Sequence, residues 1–269
     1  MIEGAVRRLA AAGCIAPNEE AAELVEAAAG DPDRLRGFIE RRTTGEPLAW
    51  ITGSILFCGC RVVIDPGVYV PRWQSEPLAE RAAALLPPDG RAIDLGTGSG
   101  AIARVLLDRR PGASVLGTEV DPLAARCARR NGIEVVEGDL FAAVPESWRG
   151  SVDVIVAVLP YVPTGAFDLL PRDVRTFEPR VALDGGDDGL ALVRRAVAEA
   201  AGWVREGDHL LLEVGGSQPG AVEPMLAAAH FEVARVIHDA EGGARGIEAV
   251  AQPSLKRSPR SRKRRSRGR

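Results

Sequence analysis

Asp94-Leu95-Gly96-Thr97-Gly98-Ser99-Gly100 is the run best suited to chemistry. Closely spaced glycines let the backbone turn sharply and let a ligand approach it. An apolar stretch, AIDL, leads into the run, and the helical pattern IARVLLDRR leads out, so the glycines join a buried strand to a helix. The next apolar segment ends at Glu119. A carboxylate there can accept hydrogen bonds from both ribose hydroxyls of a nucleoside ligand. A third segment ends at Asp139, beside the same crevice. In open α/β sheets, ligands sit at the carboxyl ends of the strands, where all three features fall. The glycine pattern alone is also that of a plain tight turn. Its strand context and the two acids select the ligand reading. A dinucleotide fingerprint would read GxGxxG. Here the spacing is GxGxG, with an acid just before it.

The elements that must hold these residues alternate. SVLGTEV reads as the second strand, PLAARCARRN as the second helix, EVVEGD as a third strand and VDVIVAVL as a fourth. A long loop of Pro, Asp and Gly precedes a helix over GLALVRRAVAEAAGWV. HLLLEV, a short helix near 218–229, FEVARVIHD and GIEAV follow. Strands alternating with helices predict a parallel sheet covered on both faces. The last two strand segments have no helix between them and should pair antiparallel at an edge. Residues 1–50 read as helices, broken at Gly30 and near Thr43-Thr44-Gly45. Residues 48–70 are rich in β-branched and aromatic types with glycine breaks and predict a hairpin.

Composition excludes several classes. The 269 residues are 46% hydrophobic and 26% charged, ordinary globular proportions. No apolar run nears the roughly 20 residues of a membrane span, and MIEGAVRRLAAAGC lacks the apolar stretch of a secretory signal. Cys14, Cys58, Cys60 and Cys127 form no set at zinc spacing, so no metal is expected and a reduced, cytoplasmic protein is the simplest reading. Cys58 and Cys60 fall on one face of the expected strand, as buried thiols. Nine of the 34 Lys and Arg lie between Lys256 and Arg269, where there is no acid. The remaining 25 oppose 37 Asp and Glu, so an acidic body of net charge −12 carries a basic tail. Such a tail attracts phosphate backbones. RNA or ribosome contact is one reading of it and a dispensable solvated tail is the other.

The acid followed by GxGxG resembles the S-adenosylmethionine-dependent methyltransferases of the seven-stranded class. Further stretches recur in order: Thr44-Gly45-Glu46-Pro47-Leu48-Ala49-Trp50-Ile51-Thr52-Gly53, then Val70-Pro71-Arg72 with Glu76, and then Phe177-Glu178-Pro179-Arg180-Val181-Ala182-Leu183-Asp184-Gly185-Gly186 with Asp188-Gly189-Leu190. Together they resemble the HemK/PrmC type of protein-(glutamine-N5) methyltransferase, over about residues 1 to 250. The resemblance implies an α/β fold: a seven-stranded Rossmann-like class I methyltransferase sheet at 76–250, a helical N-terminal domain at 1–50 and a β-hairpin linker at 51–75. Residues 251–269 are expected to be a disordered basic tail. The implied cofactor is S-adenosyl-L-methionine, held by Asp94, Gly96, Thr97, Gly98, Gly100, Glu119 and Asp139. The implied substrate is the GGQ glutamine of peptide-chain release factors, or in a sister branch a ribosomal protein.

One motif departs. The family carries NPPY after the fourth strand, and this chain carries Val158-Leu159-Pro160-Tyr161. In the family the Asn oxygen and the next backbone carbonyl accept the two amide hydrogens and aim the nitrogen at the methyl group. Leu159 keeps a backbone carbonyl, but Val158 has no side-chain acceptor. The departure leaves two alternatives: a silent cofactor-binding paralogue, or a methyltransferase acting on a nucleic-acid amine stacked on Tyr161. Among the remaining residues, Phe177 reads as a loop anchor, and Glu178 stays open. Arg72 and Glu76 read equally as site residues or as an ordinary salt bridge. His209, His230 and His238 read as structural.

Overall fold

The computed structural model describes residues 2–216, 218–239 and 241–253. Seven strands form one sheet: β3 (Arg91–Leu95), β4 (Ser114–Glu119), β5 (Glu134–Glu137), β6 (Val152–Ala157), β7 (Val204–Glu213), β8 (Phe231–His238) and β9 (Ala244–Ala251), in the order β5-β4-β3-β6-β7-β9-β8. The first five run parallel, and β9 pairs antiparallel with both β7 and β8. β8 is the edge, and no helix separates it from β9, so the two pair as an antiparallel hairpin, as expected. The strand order reverses between β3 and β6, so their carboxyl ends open a crevice.

The side chains of each central strand alternate between two cores. Ala92, Val154, Val156 and Leu211 pack beneath α5 (Glu76–Leu85) and α6 (Ala101–Arg109). Ile93, Leu95, Ile155, Ala157, Leu210 and Leu212 face the opposite side, beneath α9 (Ala191–Ala200) and α10 (Gln218–Ala228). Burial on both faces explains why VDVIVAVL has almost no polar residue.

The N-terminal helices α1 (Ile2–Ala11), α2 (Pro17–Ala28) and α3 (Pro32–Thr43) enclose their own small core around Leu9, Leu24 and Phe38. Asp31 caps α3 by accepting the amides of Asp33 and Arg34. The hairpin is shorter than the residue types predict. Residues 48–52 form a helical turn, α4 (Leu48–Thr52), ended by Gly53 at φ +84°. Only β1 (Ser54–Phe57) and β2 (Cys60–Val63) pair. α4 overrides the strand propensity because it joins two cores: Ile51 enters the helical one, while Ala49 and Trp50 enter the sheet's. Cys58 lies in the hairpin turn at φ +49° and is half-buried, so it shares no strand face with the buried Cys60.

Three further expectations are corrected. α9 stops at Ala200, and β7 begins at Val204, which the helical pattern had included; Val204 pairs with Val152 instead. The long loop before α9 also holds a short helix, α8 (Arg172–Phe177). Its exposed polar face hid it from periodicity. β9 continues to Ala251, one residue into the segment expected to lack structure. The basic residues from Lys256 onward lie outside the described residues.

Asn131, after α7 (Pro122–Arg130), ties the hairpin to the sheet. Its side chain accepts from the Val63 amide at 2.8 Å and donates to the carbonyls of Val63 and Ser99, each at 2.8 Å. Asn131→Ala leaves these buried groups unpaired, a cost of about 2 kcal/mol or more. Urea denaturation of wild type and variant should show a loss of that size with an unchanged slope.

Candidate functional site

A cavity of about 560 Å³ opens at the carboxyl ends of β3, β4, β6 and β7. One wall is the glycine turn. Gly96 (φ +66°) and Gly98 (φ +58°) hold left-handed backbone, which favours glycine. A Cβ on Gly96 would come within 3.2 Å of the Leu159 side chain. At Gly98 a Cβ would meet almost nothing, so its bare backbone faces open space. Gly100 plays a different part. It starts α6, and a Cβ would strike Ile133 at 2.7 Å and Ala128 at 3.1 Å, so it serves helix packing rather than the cavity.

The acids are placed by the strand ends. Asp94 is buried, and its Oδ2 accepts from the Thr97 hydroxyl at 2.7 Å and the Ala103 amide at 3.2 Å. Asp94 and Thr97 thus brace the turn internally. Both line a small pocket of about 50 Å³ that also touches Gly96, Gly98 and Val158. Glu119 ends β4, where Oε1 accepts the amides of Val120 (2.8 Å) and Asp121 (2.9 Å) and Oε2 accepts that of Gly98 (2.8 Å). Three amide bonds fix the carboxylate and leave Oε2 a free lone pair toward the cavity. Asp139 stands at the rim and pairs with Arg195 of α9 at 2.8 Å.

Beside the glycine turn lies Val158-Leu159-Pro160-Tyr161, which the sequence places after the neighbouring strand β6. All four residues line the cavity. The segment is clamped from behind by backbone. The Val162 amide donates to the Leu183 carbonyl at 3.0 Å, and the Gly185 amide donates to the Val162 carbonyl at 2.9 Å. A Cβ on Gly185 would sit 2.7 Å from the Pro160 carbonyl and 2.6 Å from that of Gly189. Gly185, and Gly189, whose Cβ would strike the Tyr161 carbonyl, are therefore required for close packing against this segment. Among the described residues, no loop or turn hydrogen bond uses the Leu159 carbonyl.

Other motif residues resolve differently. Arg72 pairs with Glu178 and lies over the Tyr69 ring, while Glu76 accepts the Cys58 amide at 2.9 Å; Arg72 and Glu76 do not pair with each other. Phe177 meets the Trp50 ring edge-on at 6.3 Å and anchors the loop to α4. His238 is exposed, and His209 lies 3.5 Å from Glu248, away from the cavity. Sequence reasoning missed Tyr69, Arg195, Glu213 and Arg245, which also line the cavity. Glu213 ends β7, as Glu119 ends β4; an acid closing an apolar strand was the signal that could have found it.

Burial pushes Asp94 up to about 7, opposed by its bonds to Thr97 and Ala103. A carboxyl raised above its unfolded value binds more protons when folded, so stability falls as pH rises between about 4 and about 7 and is flat above. Asp94→Asn removes that dependence. Denaturation midpoints taken at several pH values should show wild type losing stability relative to the variant across this interval.

No family model matches the chain. It is 39% identical to the release factor glutamine methyltransferase of Geobacter sulfurreducens over 210 residues, covering 75% of this chain and 73% of that one. It is 37% identical to the 4-amino-L-phenylalanine/4-methylamino-L-phenylalanine methyltransferase of Streptomyces pristinaespiralis over 235 residues, covering 82% and 78%. A methyltransferase structure from Pyrococcus furiosus shares the fold, with TM-score 0.53 and 17% identity over 72% of this chain and 90% of that one. With most of its length matched at this identity, the chain belongs to the release factor glutamine methyltransferase family.

Proposed function

We propose that the chain transfers a methyl group from S-adenosylmethionine to the side-chain amide of a release-factor glutamine. One observation carries this reading: a single cavity is lined by the glycine turn, Glu119 and Asp139 together with the Leu159-Pro160-Tyr161 segment. The residues fit the cofactor. Bare backbone at Gly96 and Gly98 admits it, the free lone pair of Glu119 suits a ribose hydroxyl, and Asp139 is a rim acceptor. Asp94 supports the turn from beneath. When bound, S-adenosylmethionine supplies an electrophilic methyl carbon on a sulfonium sulfur.

The remaining work is positioning. An amide nitrogen is a poor nucleophile, because its lone pair is delocalised into its own carbonyl. The Leu159 carbonyl accepts one N–H and fixes the direction of the nitrogen. Pro160 stiffens the backbone that presents this carbonyl, and the Tyr161 ring walls the slot. Leu140, Val158 and Leu159 give the slot an apolar lining. Val158 leaves the second N–H without the family's side-chain partner.

The missing acceptor favours a second reading, an aromatic amine as substrate. Such a nitrogen is nucleophilic without amide-like alignment, and its ring can stack on Tyr161. The Streptomyces relative is named for substrates of that kind. Among the described residues no helix is long and apolar enough to cross a membrane, and we place the protein in the cytoplasm. RNA or ribosome contact through the nine basic residues after Pro253 rests on charge alone.

The test is transfer of labelled methyl from S-adenosylmethionine to purified release factor, with 4-aminophenylalanine in parallel. Label on the GGQ glutamine is expected. Label on the aromatic amine alone moves the assignment to the second reading, and label on neither overturns both. Restoring an acceptor with Val158→Asn should raise the glutamine rate by up to about 10²-fold, the lower end of the range for one preorganised polar group. The same change should not raise the rate on the aromatic amine.

A further inference from the structure

The cavity wall holds a carboxylate that the positioning account does not use. Glu213 ends β7, and Leu212 before it pairs with Ala157 of β6, so Glu213 and Val158 leave neighbouring strands side by side. Its side chain is buried, at 5% exposure, and lines the cavity. Among the described residues its Oε2 has no hydrogen-bond partner. The groups facing it are the hydroxyls of Ser75 and Tyr161, the phenol of Tyr69 and the guanidinium of Arg245. Arg245 is itself committed to Asp239 at 2.6 Å. A buried carboxylate oxygen with no donor is costly to keep unless something enters the cavity to satisfy it.

We propose that Glu213 is the proton acceptor for the nitrogen being methylated. The inference rests on the methyl-transfer reading. The nitrogen lone pair forms the new N–C bond as the carbon–sulfur bond breaks and its electron pair returns to sulfur. The nitrogen, now positively charged, releases one N–H proton to Glu213 Oε2. The products are a neutral N-methyl group, a neutral thioether and a protonated Glu213, which the solvent then deprotonates. The proton leaves late, so a weak base within reach suffices. The same step serves an amide or an aromatic amine, because each must lose one proton.

Burial raises the Glu213 carboxyl above the usual range, while Arg245 and the hydroxyls of Ser75 and Tyr161 oppose this. Only the ionised form accepts the proton, so the rate should rise with pH through that raised value. The experiment compares wild type, Glu213→Gln and Glu213→Asp on whichever acceptor wild type methylates. Glu213→Gln should lower kcat about 10²-fold or more and abolish the acid limb of its pH profile. Its KM and its calorimetric affinity for S-adenosylhomocysteine should stay within about threefold. Glu213→Asp should recover part of kcat and the acid limb. Retention of kcat or of the acid limb in Glu213→Gln overturns the inference. So does a fall in kcat matched by lost S-adenosylhomocysteine affinity, which marks a merely structural role. Failure of the methyl-transfer reading shows in wild type alone, as no transfer to either acceptor, and overturns both.

Discussion

The site depends on how the chain leaves β6. A strand buried on both faces must end in a turn whose backbone groups still find partners. Here the partners come from another stretch of backbone. The amides of Val162 and Gly185 bond across to the carbonyls of Leu183 and Val162, and Gln218 of α10 donates to the Tyr161 carbonyl at 3.3 Å. Contact this close leaves no room for a side chain at Gly185 or Gly189. Two distant stretches therefore act as one rigid unit. Its other end reaches α4 through Phe177 and Trp50, and the Trp50 indole donates to the Val68 carbonyl at 2.9 Å. The hairpin, the helical domain and the acceptor wall thus share one seam.

Carboxylates at the strand ends carry the opposing cost. Asp94, Glu119 and Glu213 are all buried where parallel strands finish, and burial raises each of them. They are compensated unequally. Glu119 takes three backbone amides and is locked. Asp94 takes one hydroxyl and one amide and holds the turn. Glu213 keeps an oxygen with no donor. That ranking follows the depth of each residue's role: the best-satisfied acids shape backbone, while the least-satisfied one faces open cavity. Natural proteins tolerate such local disagreement where a ligand resolves it.

Much of this was legible in the sequence because the physics is local. Period-two and unbroken apolar runs marked the strands, and GxGxG between Asp94 and Ala101 marked the turn. Legibility failed where tertiary packing decided. Residues 48–52 carry strand-like types yet form α4, because Trp50 and Ile51 must enter two different cores. Arg72 lies four residues from Glu76 but pairs with Glu178, 106 positions away. Gly100 matches the motif but works in helix packing. Arg195 and Arg245 lay hidden because an arginine on a helix or near the start of a strand carries no signal of where it points.

The replacement of a motif asparagine by Val158 is less disruptive than its position suggests. In the proposed reaction the acceptor nitrogen is aimed by the carbonyl of Leu159, and a carbonyl's direction is set by backbone, not by the side chain beside it. That backbone is held by Pro160, by Gly185 and by the Val162 bonds, none of which involve residue 158's side chain. The fold therefore preserves one hydrogen-bond acceptor while the sequence removes the other. A slot with one fixed carbonyl, an apolar neighbour and an aromatic wall demands less of its substrate than one with two fixed acceptors. It discriminates less sharply for an amide, since rejection of near-isosteres comes mainly from polar groups left unpaired. On the proposed reading, the change that weakens amide selection also widens the range of nitrogens the slot can hold.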